Sequence, residues 1–156
     1  ACFTPLLIAD LPLPESKRTD MIRRYLLEPR HFSGRVPFPV VAYDEPQYQA
    51  DRWWRGPMWP SIAWFMLEVL RRNGFAAERG AAVERILAVM VADGVLHELF
   101  DSQTGAGLGA PEQGWTAGLC LALLADDRGR TAARGCPADG STARRGPPVH
   151  RRPESD

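Results

Sequence analysis

The side chains best suited to chemistry fall in two short segments of the chain. The first brings together three tryptophans, Trp53, Trp54 and Trp59, and a single arginine, Arg55. The second contains Glu98, a carboxylate with apolar neighbours. Tryptophan rings can stack on the apolar C–H faces of a sugar, while an arginine presents a fork of donors to its oxygens. Because carboxyl groups catalyse the cleavage of glycosidic bonds, the combination predicts a carbohydrate pocket.

The tryptophan segment turns sharply at Gly56 and Pro57, a pair typical of tight turns. We expect this turn to aim Trp54 and Arg55 in one direction and Trp59 in another. An arginine beside tryptophans either stacks on a ring or holds its donors towards a ligand. Trp54, Arg55, Gly56 and Trp59 are therefore the candidate substrate-binding residues of this segment.

The second segment places Glu98 after a helix-stop signal at Gly94 and before a glycine-rich loop at 101–109. Its neighbours Leu99 and Phe100 predict partial desolvation of the carboxylate, which suits it to proton transfer near neutral pH. A solvated surface glutamate is the ordinary alternative, and composition alone favours it. The residue is therefore a candidate catalytic group that needs further support.

Apolar residues recur at helical spacing along most of the chain, and no stretch alternates for long as a strand does. A proline-rich irregular stretch, 28–58, precedes the tryptophan turn, and loops of this length in compact domains usually carry function. Residues 95–100 could form a short extended piece. The predicted helices cover about residues 16–27, 60–73, 76–92 and 115–125. In the first of these, helical spacing places Met21, Ile22, Tyr25 and Leu26 on one apolar face.

The bulk composition excludes several classes of partner. Lysine plus arginine and aspartate plus glutamate number 19 each, so no net charge recruits nucleic acid or an anionic membrane. No apolar run approaches the length of a membrane span. The three cysteines show no metal-binding spacing, and His97-Glu98 lacks the second histidine of a zinc-protease helix because position 101 is an aspartate. We expect no metal and no cofactor.

The composition changes near residue 125. Residues 126–156 contain no Leu, Ile, Met, Phe, Tyr or Trp and are rich in Arg, Gly, Pro and Ala. Such a segment cannot bury enough apolar surface to offset its conformational entropy. We therefore predict a folded part at 1–125 and a disordered tail at 126–156.

The two motifs, in this order, resemble the C-terminal part of the family 63 type glycoside hydrolases and their mannosylglycerate hydrolase-like relatives. The sequence motif from Trp54 to Pro60 is similar to the segment that lines the sugar pocket in that family. Glu98-Leu99-Phe100, the glycine-rich loop and Trp115-Thr116-Ala117 are similar to the region around its catalytic base. Gln113 departs from the pattern, since the family usually has an aromatic residue there. The resemblance covers roughly residues 3–125.

The resemblance implies an all-α fold that forms part of an (α/α)6 toroid. It also implies an inverting enzyme acting on α-linked sugars, with Glu98 as general base and Trp115 as a further substrate contact. The general acid of such enzymes is an aspartate far upstream. Asp44 and Asp51 lie too near the tryptophan motif, and in the wrong sequence context, to be that residue. We expect a fragment that is inactive alone and whose partner is the missing N-terminal half of its own barrel.

Other interpretations remain open. A trehalase-like or glycogen-debranching enzyme would share the barrel and a glutamate late in the chain. The sequence therefore does not identify which sugar is bound. A helical carbohydrate-binding or protein-interaction module would use the tryptophan loop without chemistry. No signal peptide is visible, although the first residue is Ala1 and not a methionine, and the expectation is a cytoplasmic protein.

Overall fold

The structure, a computed structural model, describes residues 2–92 and 94–134, with side chains as far as residue 126. Within these residues the chain is helical, as predicted, with one small sheet and two 3₁₀ turns, Thr4–Leu7 and Trp53–Arg55. The helices are α1 Glu15–Met21, continued by a π-helical turn Ile22–Leu26, α2 Pro60–Arg72, α3 Ala76–Met90 and α4 Gly114–Arg134. The strands are β1 Leu99–Phe100 and β2 Gly107–Leu108, paired antiparallel.

Helix α2 begins and ends where the sequence predicts. Pro60 occupies its first turn, where the missing N–H would have no partner within the helix. At the other end the Asn73 side-chain amide donates to the Val69 carbonyl at 2.8 Å, and Gly74 follows with φ of +81°. A left-handed residue after the last turn is the usual way to end a helix, and glycine adopts it without strain.

The first helix differs from its prediction in the identity of its buried residues. The amide of Leu27 donates to the carbonyl of Ile22 at 2.9 Å, which is the wider π-helical spacing. Ile22 and Leu26 are buried, while Met21 and Tyr25 are exposed. A regular helical period predicted all four on one buried face.

The core lies between α2, α3 and α4, and the irregular loops close it. Leu67 of α2, Ile86 of α3 and Leu123 of α4 are each fully buried. Long-chain apolar residues from the loops complete this single cluster, so the candidate site rests on a packed base. Among these residues, Val36, Met58 and, from β1, Phe100 are fully buried, and Phe38 is nearly so.

The long stretch 28–58 is irregular, as predicted, and polar side chains hold it in place. The Tyr43 hydroxyl donates to the carbonyls of Val36 and, at 2.9 Å, Ser102. Tyr48 and Ser102 share a second hydroxyl bond at 2.7 Å. Burial raises the pKa of both tyrosines. These bonds fasten the irregular loop to the glycine-rich loop that follows Glu98.

Helix α4 continues past the predicted boundary at residue 125, as far as Arg134. Just beyond that boundary, Asp126 pairs at 2.5 Å with the guanidinium of Arg79, which is 5% exposed on α3. A count of apolar residues cannot anticipate an ion pair, and the alanines and arginines that follow are good helix formers. The rest of the predicted tail, residues 135–156, lies outside the described residues.

Candidate functional site

The tryptophan motif and the glutamate motif meet through their backbones. The Phe100 amide donates to the Met58 carbonyl at 2.9 Å, and the Met58 amide donates to the Phe100 carbonyl at 2.8 Å. Because this pairing is antiparallel, the chain that leaves Met58 towards Trp59 runs alongside the chain that reaches Phe100 from Glu98. Two segments distant in sequence are thereby held as neighbours.

The tryptophans form a stacked cluster, which corrects the prediction that the turn separates them. The rings of Trp54 and Trp59 are parallel within 4°, with centroids 4.1 Å apart. Trp53 lies 5.5 Å from the Trp59 ring, and its carbonyl accepts a 3.1 Å hydrogen bond from the Trp59 indole nitrogen. The turn therefore brings Trp59 back against Trp54, since stacking of the two indole rings stabilises this compact arrangement.

The three rings differ sharply in what they offer a ligand. Trp59 is only 5% exposed, whereas Trp53 and Trp54 are 57% and 59% exposed. Trp53 also has a φ of +28°, an uncommon value for a residue with a side chain. Backbone strain of this kind occurs often at functional sites. Trp59 thus forms the buried base of the cluster, and the exposed rings of Trp53 and Trp54 form its surface.

Arg55 and Gly56 are positioned by the segment just before the tryptophans. The Arg55 side chain donates to the Gln47 side-chain oxygen at 2.9 Å and to the Gln47 carbonyl at 3.3 Å. Its own carbonyl accepts the Gln49 amide at 2.8 Å. A Cβ atom at Gly56 would collide with the Gln49 carbonyl oxygen, so this close approach requires glycine. The exposed guanidinium keeps donors available beyond those used by Gln47.

A cavity of about 540 Å³ opens beside the tryptophan turn. Trp53 supplies an aromatic wall, Arg55 a cation and Asp51 a carboxylate, while Gln49 and Arg52 complete the lining. An aromatic face bordered by charged groups is the composition expected for a polar ligand with apolar faces, such as a sugar. Trp53 and Asp51 were not among the residues predicted to bind substrate, and their positions depend on the folded turn.

Glu98 is half-buried and held by the loop that follows it. Its amide donates to the Ala110 carbonyl at 2.9 Å, and its Oε2 accepts the Ala110 amide at 3.3 Å. A Cβ atom at Gly109, which has φ of +72°, would lie 2.7 Å from that same Oε2. Glycine at this position therefore leaves the space that the carboxylate occupies. Glu98 is not part of the lining of the cavity beside Trp53.

Residues at the start of α4 also donate hydrogen bonds to the segment that bears Glu98. The buried hydroxyl of Thr116 donates to the His97 carbonyl at 2.8 Å. The Gln113 amide donates to the Leu96 carbonyl, also at 2.8 Å. Gln113 therefore bonds through its backbone, a contact that any residue except proline can make there. The Thr116 bond explains why a hydroxyl residue lies in the first turn of α4.

Trp115 occupies a different place from the other candidate residues. Its ring is half exposed and lines an apolar groove with Trp64 and Phe65 of α2. None of the residues around the Trp53 cavity lines this groove. In the described part of the chain, Trp115 is thus separate from the tryptophan cluster that was predicted to share its role.

The described residues contain no cluster of three or more His, Cys, Asp or Glu side chains that could hold a metal ion. In the same residues no helix is both long enough and apolar enough to cross a bilayer. Asp44, one of the two aspartates considered above as a general acid, forms a hydrogen bond with His31 at 2.7 Å. That hydrogen bond lowers the pKa of Asp44.

A helical scaffold that joins an exposed tryptophan cluster to a loop-held glutamate has the features of a carbohydrate-active protein. Residues 1–116 match the model of a family described as the mannosylglycerate hydrolase MGH1-like glycoside hydrolase domain. The chain therefore belongs to this family of glycoside hydrolases.

Individual relatives agree with this assignment. The mannosylglycerate hydrolase of Rubrobacter radiotolerans is 33% identical over 115 residues, which are 72% of this chain and 26% of that protein. The glucosylglycerate hydrolase of Mycolicibacterium hassiacum is 30% identical over 129 residues, 80% of this chain and 28% of that protein. The chain thus spans little more than a quarter of the length of these relatives.

The solved structures give the same result for the fold. The GH63 mannosylglycerate hydrolase from Thermus thermophilus, crystallised with Tris and D-glycerate, matches with a TM-score of 0.65 and 29% identity. The match covers 80% of this chain and 28% of that one. Such neighbours are (α/α)6 toroids, and this chain is part of one, as the sequence predicted.

Proposed function

We propose that these residues are the base-bearing part of an inverting glycoside hydrolase that cleaves α-linked sugar conjugates of the glycosylglycerate type. The observation that carries the proposal is the Met58–Phe100 pairing, which sets the sugar-stacking turn beside the segment that bears Glu98. The names of the relatives, which act on mannosylglycerate and glucosylglycerate, support this substrate class.

Glu98 would act as the general base. Its carboxylate takes a proton from a water molecule, the water oxygen attacks the anomeric carbon, and the glycosidic oxygen leaves with a proton from an acid on the opposite side. Two carboxyl groups about 6.5–9.5 Å apart leave room for that water. Half-burial and the Ala110 amide hold the Glu98 carboxylate in one orientation, as a base requires.

The tryptophan turn would bind the sugar. Trp53 and Trp54 offer the exposed ring faces, and Arg55 offers donors to hydroxyl or carboxylate oxygens. Trp59 contributes by holding Trp54 in its stacked position. The general acid is assigned to a part of the toroid outside these 156 residues, so this chain alone should bind sugar without cleaving it.

The anomeric configuration of the released sugar tests the mechanism. The experiment uses a chimera in which residues 1–134, which include all of α4, replace the corresponding part of the Thermus thermophilus mannosylglycerate hydrolase, a relative 34% identical over 113 residues. Proton NMR of the first turnover product should show the anomer opposite to that of the substrate. A product of retained configuration would mean that Glu98 attacks as a nucleophile, and would overturn the general-base role.

A helical carbohydrate-binding module is the second candidate. It is favoured by the cavity beside Trp53, which has a sugar-like lining but does not include Glu98. In that case the sugar binds to this chain as tightly with glutamine at position 98 as with glutamate, and no chimera turns over. Turnover by the chimera would exclude the module.

A further inference from the structure

We infer that a second cavity, between the first 3₁₀ turn, α1 and the end of α2, binds a phosphate group, either free or carried by a small molecule. The cavity has a volume of about 570 Å³, which is in the range of ordinary ligand sites. Residues 6–9 form its apolar side, and its polar lining comprises Glu15, Arg18, Thr19, Arg72 and Asn73. None of these residues lines the cavity beside Trp53, so the two cavities are separate.

Two arginines from different elements line this second cavity. Arg18 lies on α1, and Arg72 is the last residue of α2. The position of Arg72 is fixed by its Nη1, which donates to the Leu7 carbonyl at 2.7 Å. Because a guanidinium carries five N–H donors, this bond leaves Arg72 with donors for a ligand. Two guanidinium groups around one concavity predict an anionic occupant.

The Arg18 side chain has a donor without an acceptor. Its Nε is buried, and within the described residues no atom accepts a hydrogen bond from it. A buried donor that lacks a partner costs free energy, so such an atom in a native fold calls for an explanation. Since no protein bond holds this nitrogen, the guanidinium can turn towards a ligand without losing a contact there. An oxyanion in the cavity would supply the acceptor.

The donors around the cavity favour a phosphate group over a carboxylate. A carboxylate has two coplanar oxygens, which the fork of one guanidinium satisfies, whereas a phosphate group presents three acceptor oxygens that point apart. Arg18, Arg72 and the hydroxyl of Thr19 offer donors from two different helices. The apolar side at residues 6–9 leaves room for the body of a phosphorylated molecule.

Glu15 provides a test of the sign of the ligand charge. It is the acidic residue in the lining, three residues before Arg18 on the same helix. Among the described residues, the ion pairs do not join it to Arg18 or to Arg72. Its carboxylate should therefore oppose a bound anion, whereas it would assist a bound cation.

The test measures phosphate binding by the full 156-residue chain. The probe is inorganic phosphate at low ionic strength, followed by the line width of its phosphorus NMR signal, and glycerol phosphate is titrated in parallel. Both should saturate one site per chain, and acetate at the same concentration should not displace them. Tighter binding of glycerol phosphate would identify a phosphorylated molecule as the ligand, and equal affinities would identify free phosphate.

Arg18→Gln should weaken phosphate binding at least about tenfold, the effect expected for losing a hydrogen bond to a charged group. Arg72→Gln should act in the same direction. Arg24→Gln is the matched control, because it removes the same charge from a residue that pairs with Asp20 at 3.3 Å outside the cavity. It should leave the affinity unchanged, and far-UV circular dichroism should give the same helix content for all variants.

Glu15→Gln should tighten phosphate binding by up to about fivefold, since it removes a like charge near the anion. Four results would overturn the site: no saturable binding by the folded wild-type chain, equal weakening by Arg18→Gln and Arg24→Gln, weaker binding in Glu15→Gln, or displacement by acetate. No sugar is present in these titrations, so a phosphate site that fails leaves the role of Glu98 to its own test.

Discussion

Met58 and Phe100 donate backbone hydrogen bonds to each other at 2.8 and 2.9 Å, and both side chains are fully buried. One residue belongs to the tryptophan motif and the other to the glutamate motif. A buried backbone pair of this kind is costly to break, because its polar groups would lose their partners. The relative position of the two motifs is therefore fixed by the core and not by their exposed side chains.

Gly109→Ala should damage the position of Glu98 and destabilise the chain. The new Cβ would meet the Glu98 carboxylate at 2.7 Å, and a φ of +72° is strained for alanine. Strain of this kind costs about 1–3 kcal/mol in the free energy of unfolding, which urea denaturation would measure.

Gly118→Ala is the control for Gly109→Ala, because the new side chain meets no neighbour there. Gly118 lies inside α4, and a Cβ there meets no atom within 4 Å. Alanine should stabilise the helix by about 0.5–1 kcal/mol. If both glycine variants change the free energy of unfolding in the same direction, the local argument for Gly109 is wrong.

Tyr43→Phe should loosen the connection between the irregular loop and the loop after Glu98. The variant loses the hydroxyl that donates to the carbonyls of Val36 and Ser102. Leaving part-buried acceptors without a donor costs about 1–3 kcal/mol. Tyr25→Phe is the control, since Tyr25 is half exposed, and its urea midpoint should equal that of the wild type.

Alkaline pH should destabilise the chain through the same tyrosine. Burial is the main reason why the pKa of Tyr43 lies above its ordinary value of 10.0 in the folded state. The folded state then holds its proton where the unfolded state has lost it, so stability is complete below pH 10.0 and falls as the pH rises beyond it. Stability of Tyr43→Phe should fall less steeply over that range. Equal slopes for the two proteins would contradict the assignment to Tyr43.

Asp51→Asn tests whether this chain supplies its own general acid. Asp51 is the acidic residue in the lining of the cavity beside Trp53 and Arg55, where the sugar is proposed to bind. If the acid comes from elsewhere in the toroid, kcat of the chimera should change less than about tenfold, whereas loss of a general acid costs typically about 10²–10⁴-fold. A loss in the larger range would place the acid within these residues.

The sequence predicted the elements better than the contacts between them. Pro60 and Gly74 mark the ends of α2 because helix termini obey local rules, and the resemblance around Glu98 led to the correct family. The stacking of Trp54 on Trp59 was missed, since a turn signal does not specify which rings meet. The Arg79–Asp126 pair was missed for the same reason, because it joins two helices through space.

Turnover of the chimera with Glu98→Gln tests the central claim most directly. Glutamine keeps the size of the side chain but cannot take a proton from water, so kcat should fall by about 10²–10⁴-fold with little change in substrate affinity. Glu112→Gln is the control, an exposed glutamate in the loop before α4, and should keep the wild-type kcat. An unchanged kcat in Glu98→Gln would contradict the account and remove Glu98 from the catalytic site.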